Sequence, residues 1–364
     1  MANRIVSLQV LRFLAAAAVV YMHVAHVVRA ADFQTEAVFY PTDIGAAGVD
    51  VFFVLSGFVI AQTGPLAASN PGAGLFFWRR WSRVAPLFYL LSLPLIGAAL
   101  AEDDFSWARM SATFLFWPAA GREIVQPFLE PGWTLAFEMV FYTAIALLLV
   151  GGRIRRNLVV LGVAILVLVV ARQILAWNAL KILANAIFLE FGAGVVLALA
   201  WDRLRRADLR IGVGLIAGAL GVFVVEAIMG VGDAISWQGV LLDVDAIHRV
   251  IVLGVPAVAL VTGALICERR MQGPVARFAA SLGDASYSIY LIQGLALETV
   301  CALSLRTLGA HRPVATTLAA ITVTIAFGYV IYRGLERPVQ RLIRGTHHAS
   351  LPLEAPPAPR MTAN

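Results

Sequence analysis

Residues 5–28 read IVSLQVLRFLAAAAVVYMHVAHVV. This run is long enough to cross the hydrocarbon core of a bilayer as one helix, which takes about 20 residues. Two ionisable side chains, Arg12 and His23, lie inside it. Because an ionisable group within a membrane is costly unless it is paired or hydrated, each of them is a functional candidate.

Nine further apolar runs follow along the chain. They lie at about 45–63, 84–101, 132–150, 157–176, 180–200, 211–229, 247–266, 284–305 and 314–334. Hydrophobic residues make up 60% of the 364 residues and charged residues only 14%, against about 45–50% and about 25% in soluble domains. The sequence therefore predicts an all-α, polytopic integral membrane protein with about ten transmembrane helices. It excludes a soluble metabolic enzyme, a disordered scaffold and a DNA-binding domain.

The basic residues predict the orientation of these helices. Cytoplasmic loops of membrane proteins carry an excess of Lys and Arg. Placing Arg4 in the cytoplasm puts most basic residues on that side, in clusters at 79–83, 153–156, 203–210, 269–277 and 333–344. Both termini are then cytoplasmic, and the net charge of +6 reflects orientation rather than a nucleic-acid partner. We expect one transmembrane domain over residues 1–345 and a disordered, proline-rich cytoplasmic tail over 346–364.

Signals for processing, disulfides or metal binding are weak. A cleaved signal peptide is disfavoured because Arg12 interrupts the apolar stretch, and His23 and His26 stand where small residues would precede a cleavage site. Cys267 and Cys301 have no C-x-x-C spacing and no cysteine or histidine cluster around them. We therefore expect neither a disulfide framework nor a metal site.

Arg12 and His23 are predicted to share one face of the first helix. Eleven residues at 100° each return to the same face about 16.5 Å further along the axis. Arg12 would meet an anion that enters from the cytoplasm, while His23 lies in the outer half of the span. The alternative is that Arg12 extends its guanidinium to the interface and His23 bonds a neighbouring carbonyl.

The next two segments add a carboxylate and three guanidiniums. Asp50 enters the second helix and would orient an imidazole, as carboxylates do in catalytic triads, or act as an interfacial cap. Ser56 and the glycine after it favour close helix packing. Arg79, Arg80 and Arg83 precede the third helix, where guanidinium forks suit phosphate oxygens, although basic residues at a cytoplasmic helix end are also ordinary topology signals.

Polar residues on two later helices complete the candidate set. Glu138 lies about two turns below the predicted outer surface, either protonated and hydrogen-bonded or paired with His23 or Arg12. Tyr287 and Tyr290, near the start of the ninth helix, would donate hydroxyls into the same cavity or serve only as packing and interface anchors.

Six short motifs, in this order, resemble the integral-membrane acyltransferase 3 family. They are Arg12 with His23, Gly48-Val-Asp-Val-Phe-Phe-Val-Leu-Ser-Gly-Phe58, Arg80-Trp-Ser-Arg83, Trp133-Thr-Leu-x-x-Glu138-x-x-Phe-Tyr142, Ser286-Tyr287-Ser-Ile-Tyr290-Leu and Glu336-Arg-Pro338. The resemblance implies about ten transmembrane helices in the bacterial inner membrane. It also implies transfer of an acyl group, usually acetyl, from cytoplasmic acyl-CoA to a carbohydrate hydroxyl, with no bound cofactor. The opening motif resembles that of bacterial exopolysaccharide O-acetyltransferases.

The resemblance also implies roles for individual residues. Arg79, Arg80 and Arg83 would hold the CoA phosphates, assisted by Arg12. His23 would be the general base, with Glu138 or Asp50 setting its tautomer. The remaining substrate-binding candidates are Ser56, Trp133, Tyr142, Tyr287 and Tyr290.

One position departs from the family pattern, and several alternatives stay open. The family often has a histidine after Tyr-Leu-Ile, where this chain has Gln293, which weakens any role for a second imidazole. A route through an acyl-histidine is also chemically possible. A transporter or proton-coupled permease would use the same intramembrane residues, but no internal symmetry between halves is present. The acceptor sugar, the acyl group, the membrane face and the oligomeric state are open.

Overall fold

A computed structural model describes residues 5–30, 43–64, 72–120, 123–152, 177–230, 235–271, 273–308 and 313–348, with isolated positions between 157 and 175. The described parts are helical apart from one short hairpin. The first helices are α1 Val6–Ala30, α2 Ala47–Thr63, α3 Ala73–Ala101, α4 Trp107–Phe114 and α5 Gly132–Leu149. The middle helices are α6 Asn178–Leu183, α7 Phe188–Leu199, α8 Trp201–Leu204, α9 Leu209–Met229 and α10 Trp237–Leu241.

The last part of the chain contains two π-helical turns within otherwise α-helical segments. The helices are α11 Ala246–Arg249, α12 Val255–Cys267, α13 Pro274–Asp284, α14 Ser286–Leu308, α15 Pro313–Ile331 and α16 Arg337–His348. The π turns, Val250–Gly254 and Tyr332–Glu336, join α11 to α12 and α15 to α16. Such turns are frequent near functional sites in helical proteins.

Seven helical segments of the described chain are long and apolar enough to cross a membrane, which indicates a multi-pass membrane protein. They are Val6–Val27, Ala73–Ala101, Gly132–Gly152, Asn178–Leu199, Leu209–Met229, Ala246–Arg270 and Val314–Ile343. The helix α2 is apolar but shorter, and most of the predicted span 157–176 lies outside the described residues. The count of ten and the cytoplasmic position of both termini therefore stay predictions, as does the tail, of which 349–364 lie outside the described residues.

The helix α2 lies at the centre of the bundle, packed against α1, α5, α7 and α12. A helix that is apolar on all sides is expected to be buried. Gly57 in α2 and Gly194 in α7 let these two helices approach at backbone distance. A Cβ at Gly57 would lie 2.0 Å from the carbonyl oxygen of Phe191, and one at Gly194 would lie 2.1 Å from that of Val54. The predicted packing role of the Ser-Gly pair is confirmed for Gly57.

The segment between α3 and α5 folds back onto α3. The helix α4 is followed by a two-residue antiparallel hairpin, β1 Ala119–Ala120 and β2 Glu123–Ile124. The hydroxyl of Tyr89 in α3 donates to the carbonyl oxygen of Phe114 at 2.7 Å, and the buried ring of Phe116 packs on Phe88. These contacts fix the approach of the chain to α5.

Candidate functional site

Eight of the twelve predicted site residues line one cavity, which we call the arginine cavity. It is enclosed by α1, α2, α3, α5 and α14 and holds about 810 Å³ of empty space, including its open mouth. The eight residues are Arg12, Ser56, Arg80, Arg83, Glu138, Tyr142, Tyr287 and Tyr290. The helices thus bring together candidates that are as much as 278 positions apart in the sequence.

Side chains from neighbouring helices are joined at this cavity. The Nε of Arg12 donates to Ser286 Oγ at 3.2 Å, which ties α1 to the start of α14. The hydroxyl of Tyr287 donates to the carbonyl oxygen of Val84 in α3 at 2.7 Å. Arg80 donates to the hydroxyl of Thr63 at the end of α2. The first and third of these bonds hold the side chains of Arg12 and Arg80 in place, and the second joins α14 to α3.

The cavity carries an excess of positive charge. Among the described residues that line it, Arg12, Arg80 and Arg83 are cationic and Glu138 is the single carboxylate. Glu138 Oε1 accepts a hydrogen bond of 2.6 Å from Ser56 Oγ. Guanidiniums that converge within a partly enclosed, low-dielectric space attract an anion more strongly than they would in water. The arrangement can therefore bind an anionic group.

Arg79 lies apart from the other two arginines of its cluster. Its side chain is exposed, and it is absent from the described lining of the arginine cavity. The structure therefore brings Arg80 and Arg83 to the cavity with Arg12, and leaves Arg79 outside.

A second cavity, which we call the histidine cavity, contains the predicted base. Its described lining includes His23, His26, Glu130, Trp133, Trp237, Arg249, Tyr290 and Gln293. Trp237 and Arg249 were not predicted from the sequence. Because His23 lies eleven residues beyond Arg12, about 16.5 Å along α1, the two cavities lie at different depths in the bundle.

The two cavities adjoin each other. Val49 and Tyr290 line both of them. The Tyr290 hydroxyl lies 2.9 Å from Thr134 Oγ and donates to the carbonyl oxygen of Pro131 at 3.3 Å. A buried tyrosine with bonded partners and a valine from α2 thus lie at the border of the arginine cavity and the histidine cavity.

Neither predicted carboxylate contacts His23. Glu138 is bonded to Ser56 in the arginine cavity. Asp50 binds Arg249 through both oxygens, Oδ1 to Nε at 2.9 Å and Oδ2 to the terminal nitrogen at 2.7 Å. The expectation that one of them sets the imidazole tautomer is therefore corrected for this conformation, because both carboxylates are held by other partners.

The Asp50 and Arg249 pair is buried and has a third member. The side chains of Asp50 and Arg249 are 0% and 5% exposed, and Arg249 also donates to the carbonyl oxygen of Ala46 at 3.0 Å. Glu190 in α7 is buried and interacts electrostatically with both Asp50 and Arg249. Arg249 could have been noticed in the sequence, because it is a basic residue within the apolar run 247–266.

No cluster of three His, Cys, Asp or Glu side chains that could hold a metal ion occurs in the described chain. The described linings of the two cavities contain guanidinium, hydroxyl, amide, imidazole and carboxylate groups.

The residues that line both cavities lie within a single region that matches a known protein family. The family model described as "Acyltransferase domain" matches residues 5–333. The exopolysaccharide production protein ExoZ of Rhizobium meliloti (strain 1021) is 33% identical over 306 residues, which cover 82% of this chain and 90% of ExoZ. The acyltransferase MdmB of Streptomyces mycarofaciens is 33% identical over 149 residues, 38% of each chain. No solved structure matches the chain.

Proposed function

The chain belongs to the acyltransferase 3 family and is therefore an acyltransferase, and we propose which reaction it catalyses. In this proposal it moves an acetyl group from cytoplasmic acetyl-CoA to a hydroxyl of a cell-surface polysaccharide or its lipid-linked precursor. The observation that carries this proposal is that a cavity with three arginines adjoins a cavity with His23. The similarity to ExoZ, an exopolysaccharide production protein, supports a carbohydrate acceptor. The family assignment favours an enzyme over the transporter that the sequence left open.

The arginine cavity is the proposed donor site. Arg80 and Arg83 enter it from α3 and Arg12 from α1, so phosphate oxygens of CoA would meet guanidiniums from two directions. Arginine suits this role because its planar fork matches phosphate oxygens with two parallel hydrogen bonds. Arg79, which lies outside the cavity, has no contact with the donor in this proposal. If the chain is oriented as its basic loops predict, the mouth of this cavity faces the cytoplasm and the membrane is the bacterial inner membrane.

His23 is the proposed general base. The hydroxyl oxygen of the acceptor attacks the thioester carbon, the imidazole of His23 takes the hydroxyl proton, and the carbon–sulfur bond breaks. The proton then passes from the imidazolium to the sulfur, so the products are the O-acetyl ester and free CoA. An imidazole suits this step because it titrates near neutral pH, and such a group contributes about 10²–10⁴-fold to the rate.

The boundary between the cavities would hold the reacting thioester. Val49 and Tyr290 border both spaces. In this proposal the pantetheine arm extends from the arginines toward Tyr290, and the acceptor hydroxyl approaches from the side of His23. The anionic part of the donor stays in the cationic cavity throughout.

Purified protein with radiolabelled acetyl-CoA tests the proposal. Release of free CoA measures donor use, and NMR of surface polysaccharide from complemented bacteria measures O-acetylation. We expect His23→Gln to lower kcat by about 10²–10⁴-fold. We expect Arg80→Ala and Arg83→Ala each to raise the KM for acetyl-CoA by about tenfold or more, because each removes a charged hydrogen bond to phosphate.

Arg277→Ala is the matched control, since Arg277 is an exposed arginine of α13 outside the described lining of both cavities. It should keep the wild-type KM. Full activity of the His23 variant, or equal KM changes in the Arg277 and Arg80 variants, would reject the site assignment.

A further inference from the structure

Gln293 lies in the histidine cavity without a hydrogen-bond partner in the described structure. It is 4% exposed, and neither its amide oxygen nor its amide nitrogen has a partner there. A buried polar group is expected to have a hydrogen-bond partner. Because Gln293 lines this cavity, both ends of its amide are available to a molecule bound there.

The other walls of the histidine cavity fit a neutral, polar ligand. Trp133 and Trp237 provide ring surfaces, and Glu130 adds a carboxylate that can accept hydrogen bonds from hydroxyls. The charge of Arg249 is compensated by Asp50, to which it is bonded through two nitrogens. The cavity thus lacks the concentrated positive charge of the arginine cavity. A cavity of aromatic walls with a few placed polar groups is the usual form of a site for a small organic ligand.

An amide suits a sugar better than most other polar ligands. It offers one acceptor oxygen and one donor NH₂ group, and a hydroxyl is itself both donor and acceptor. Two adjacent ring hydroxyls can therefore satisfy both ends of one amide. Gln293 and His23 line the same cavity, so a sugar held by Gln293 would present a further hydroxyl to the imidazole.

We propose that the histidine cavity is the acceptor site and that Gln293 binds two adjacent hydroxyls of the carbohydrate, which selects the hydroxyl that is acetylated. The inference rests on the proposed function and adds to it the acceptor site and its specificity-determining residue. Gln293 does not contact the donor in this arrangement, so its effects are confined to the acceptor.

The test separates use of the donor from transfer to the acceptor. The source bacterium lacking the gene is complemented with wild type or variants, and O-acetyl content and position in its purified exopolysaccharide are measured by NMR. Purified wild type and variants are compared for hydrolysis of acetyl-CoA without acceptor and for apparent melting temperature. The variants are Gln293→Leu, Gln293→Glu and the matched control Gln62→Leu. Gln62 donates to the carbonyl oxygen of Ala198 and lies outside the described lining of both cavities.

We expect Gln293→Leu to lower exopolysaccharide O-acetylation about tenfold or more, because two hydrogen bonds to the sugar are lost. Hydrolysis of acetyl-CoA without acceptor should fall by a much smaller factor than O-acetylation. The melting temperature should be unchanged or higher, because an unpaired buried amide is replaced by an apolar group. Gln293→Glu keeps an acceptor but loses the NH₂ donor, so it should reduce or relocate the acetyl group. Gln62→Leu should acetylate as wild type does.

Wild-type O-acetylation, in amount and position, by both Gln293 variants would overturn the inference. A lower melting temperature with parallel losses of hydrolysis and transfer in Gln293→Leu would also overturn it, because Gln293 would then have a structural partner. Failure of the proposed function gives a different result: wild-type protein would neither hydrolyse acetyl-CoA nor restore O-acetylation.

Discussion

Loss of the Arg249 charge should destabilise the protein strongly. Arg249→Met removes both hydrogen bonds to Asp50, which is 0% exposed. It leaves Asp50 and the neighbouring buried Glu190 without a cation. Breaking a buried ion pair by removing one partner costs about 3–5 kcal/mol, because the remaining charge is buried and uncompensated. We expect a loss of that size in the free energy of unfolding.

A surface ion pair of similar length provides the control. Arg109 and Asp104 lie 2.8 Å apart, close to the 2.7 Å of the buried pair, but the Asp104 side chain is 75% exposed. Exposed pairs contribute about 0–1 kcal/mol. Asp104→Asn should therefore be nearly neutral, and the comparison isolates the effect of burial.

Denaturant unfolding in detergent, followed by tryptophan fluorescence, measures both variants. The double variant Asp50→Leu with Arg249→Met removes both charges and should lose less stability than the sum of the two single variants, since neither charge is left alone. Equal losses for Arg249→Met and Asp104→Asn would refute the reasoning, because burial would then have no effect on the pair.

Two further predictions concern packing and donor binding. Gly57→Ala places a methyl group 2.0 Å from the Phe191 carbonyl oxygen and should destabilise by about 1–3 kcal/mol. Gly192→Ala, whose Cβ would meet nothing within 4 Å, should not destabilise in the same unfolding assay, and a similar loss in both would contradict the packing explanation. Glu138→Gln keeps an oxygen to accept the Ser56 bond but removes the single carboxylate of the described arginine cavity. Its KM for acetyl-CoA should fall by roughly fivefold, about 1 kcal/mol of relieved repulsion, whereas a higher KM in steady-state kinetics would show that Glu138 aids donor binding.

The sequence was sufficient to predict helices and the depth of side chains within them. Hydrophobic runs predicted an all-α membrane protein, and the spacing of Arg12 and His23 placed one low and one high on α1. Depth follows from position in a helix at 1.5 Å per residue. Arg12 and His23 line two different cavities, the arginine cavity and the histidine cavity.

Partners across the bundle could not be predicted in the same way. Asp50 was expected to orient an imidazole or to act as an interfacial cap, but its partner is Arg249, which lies 199 residues away. Nothing in a single sequence states which helices are neighbours. The arginine cluster shows a related limit, because helical periodicity puts Arg83 near both Arg79 at four residues and Arg80 at three. Only the packing of α3 decides that Arg80 lines the cavity and Arg79 is exposed.

The difference in charge between the two cavities follows from how each cation is paired. Arg249 is compensated by Asp50 through two hydrogen bonds, whereas Arg12, Arg80 and Arg83 share one carboxylate among the described residues of their cavity. An anionic donor is therefore favoured in the arginine cavity and gains little from the histidine cavity. In our proposal a neutral sugar binds in the histidine cavity, where its hydroxyls match the amide of Gln293. In the proposed function the two substrates would meet at Val49 and Tyr290, which line both cavities, with the donor phosphates near Arg12 and the acceptor hydroxyl near His23.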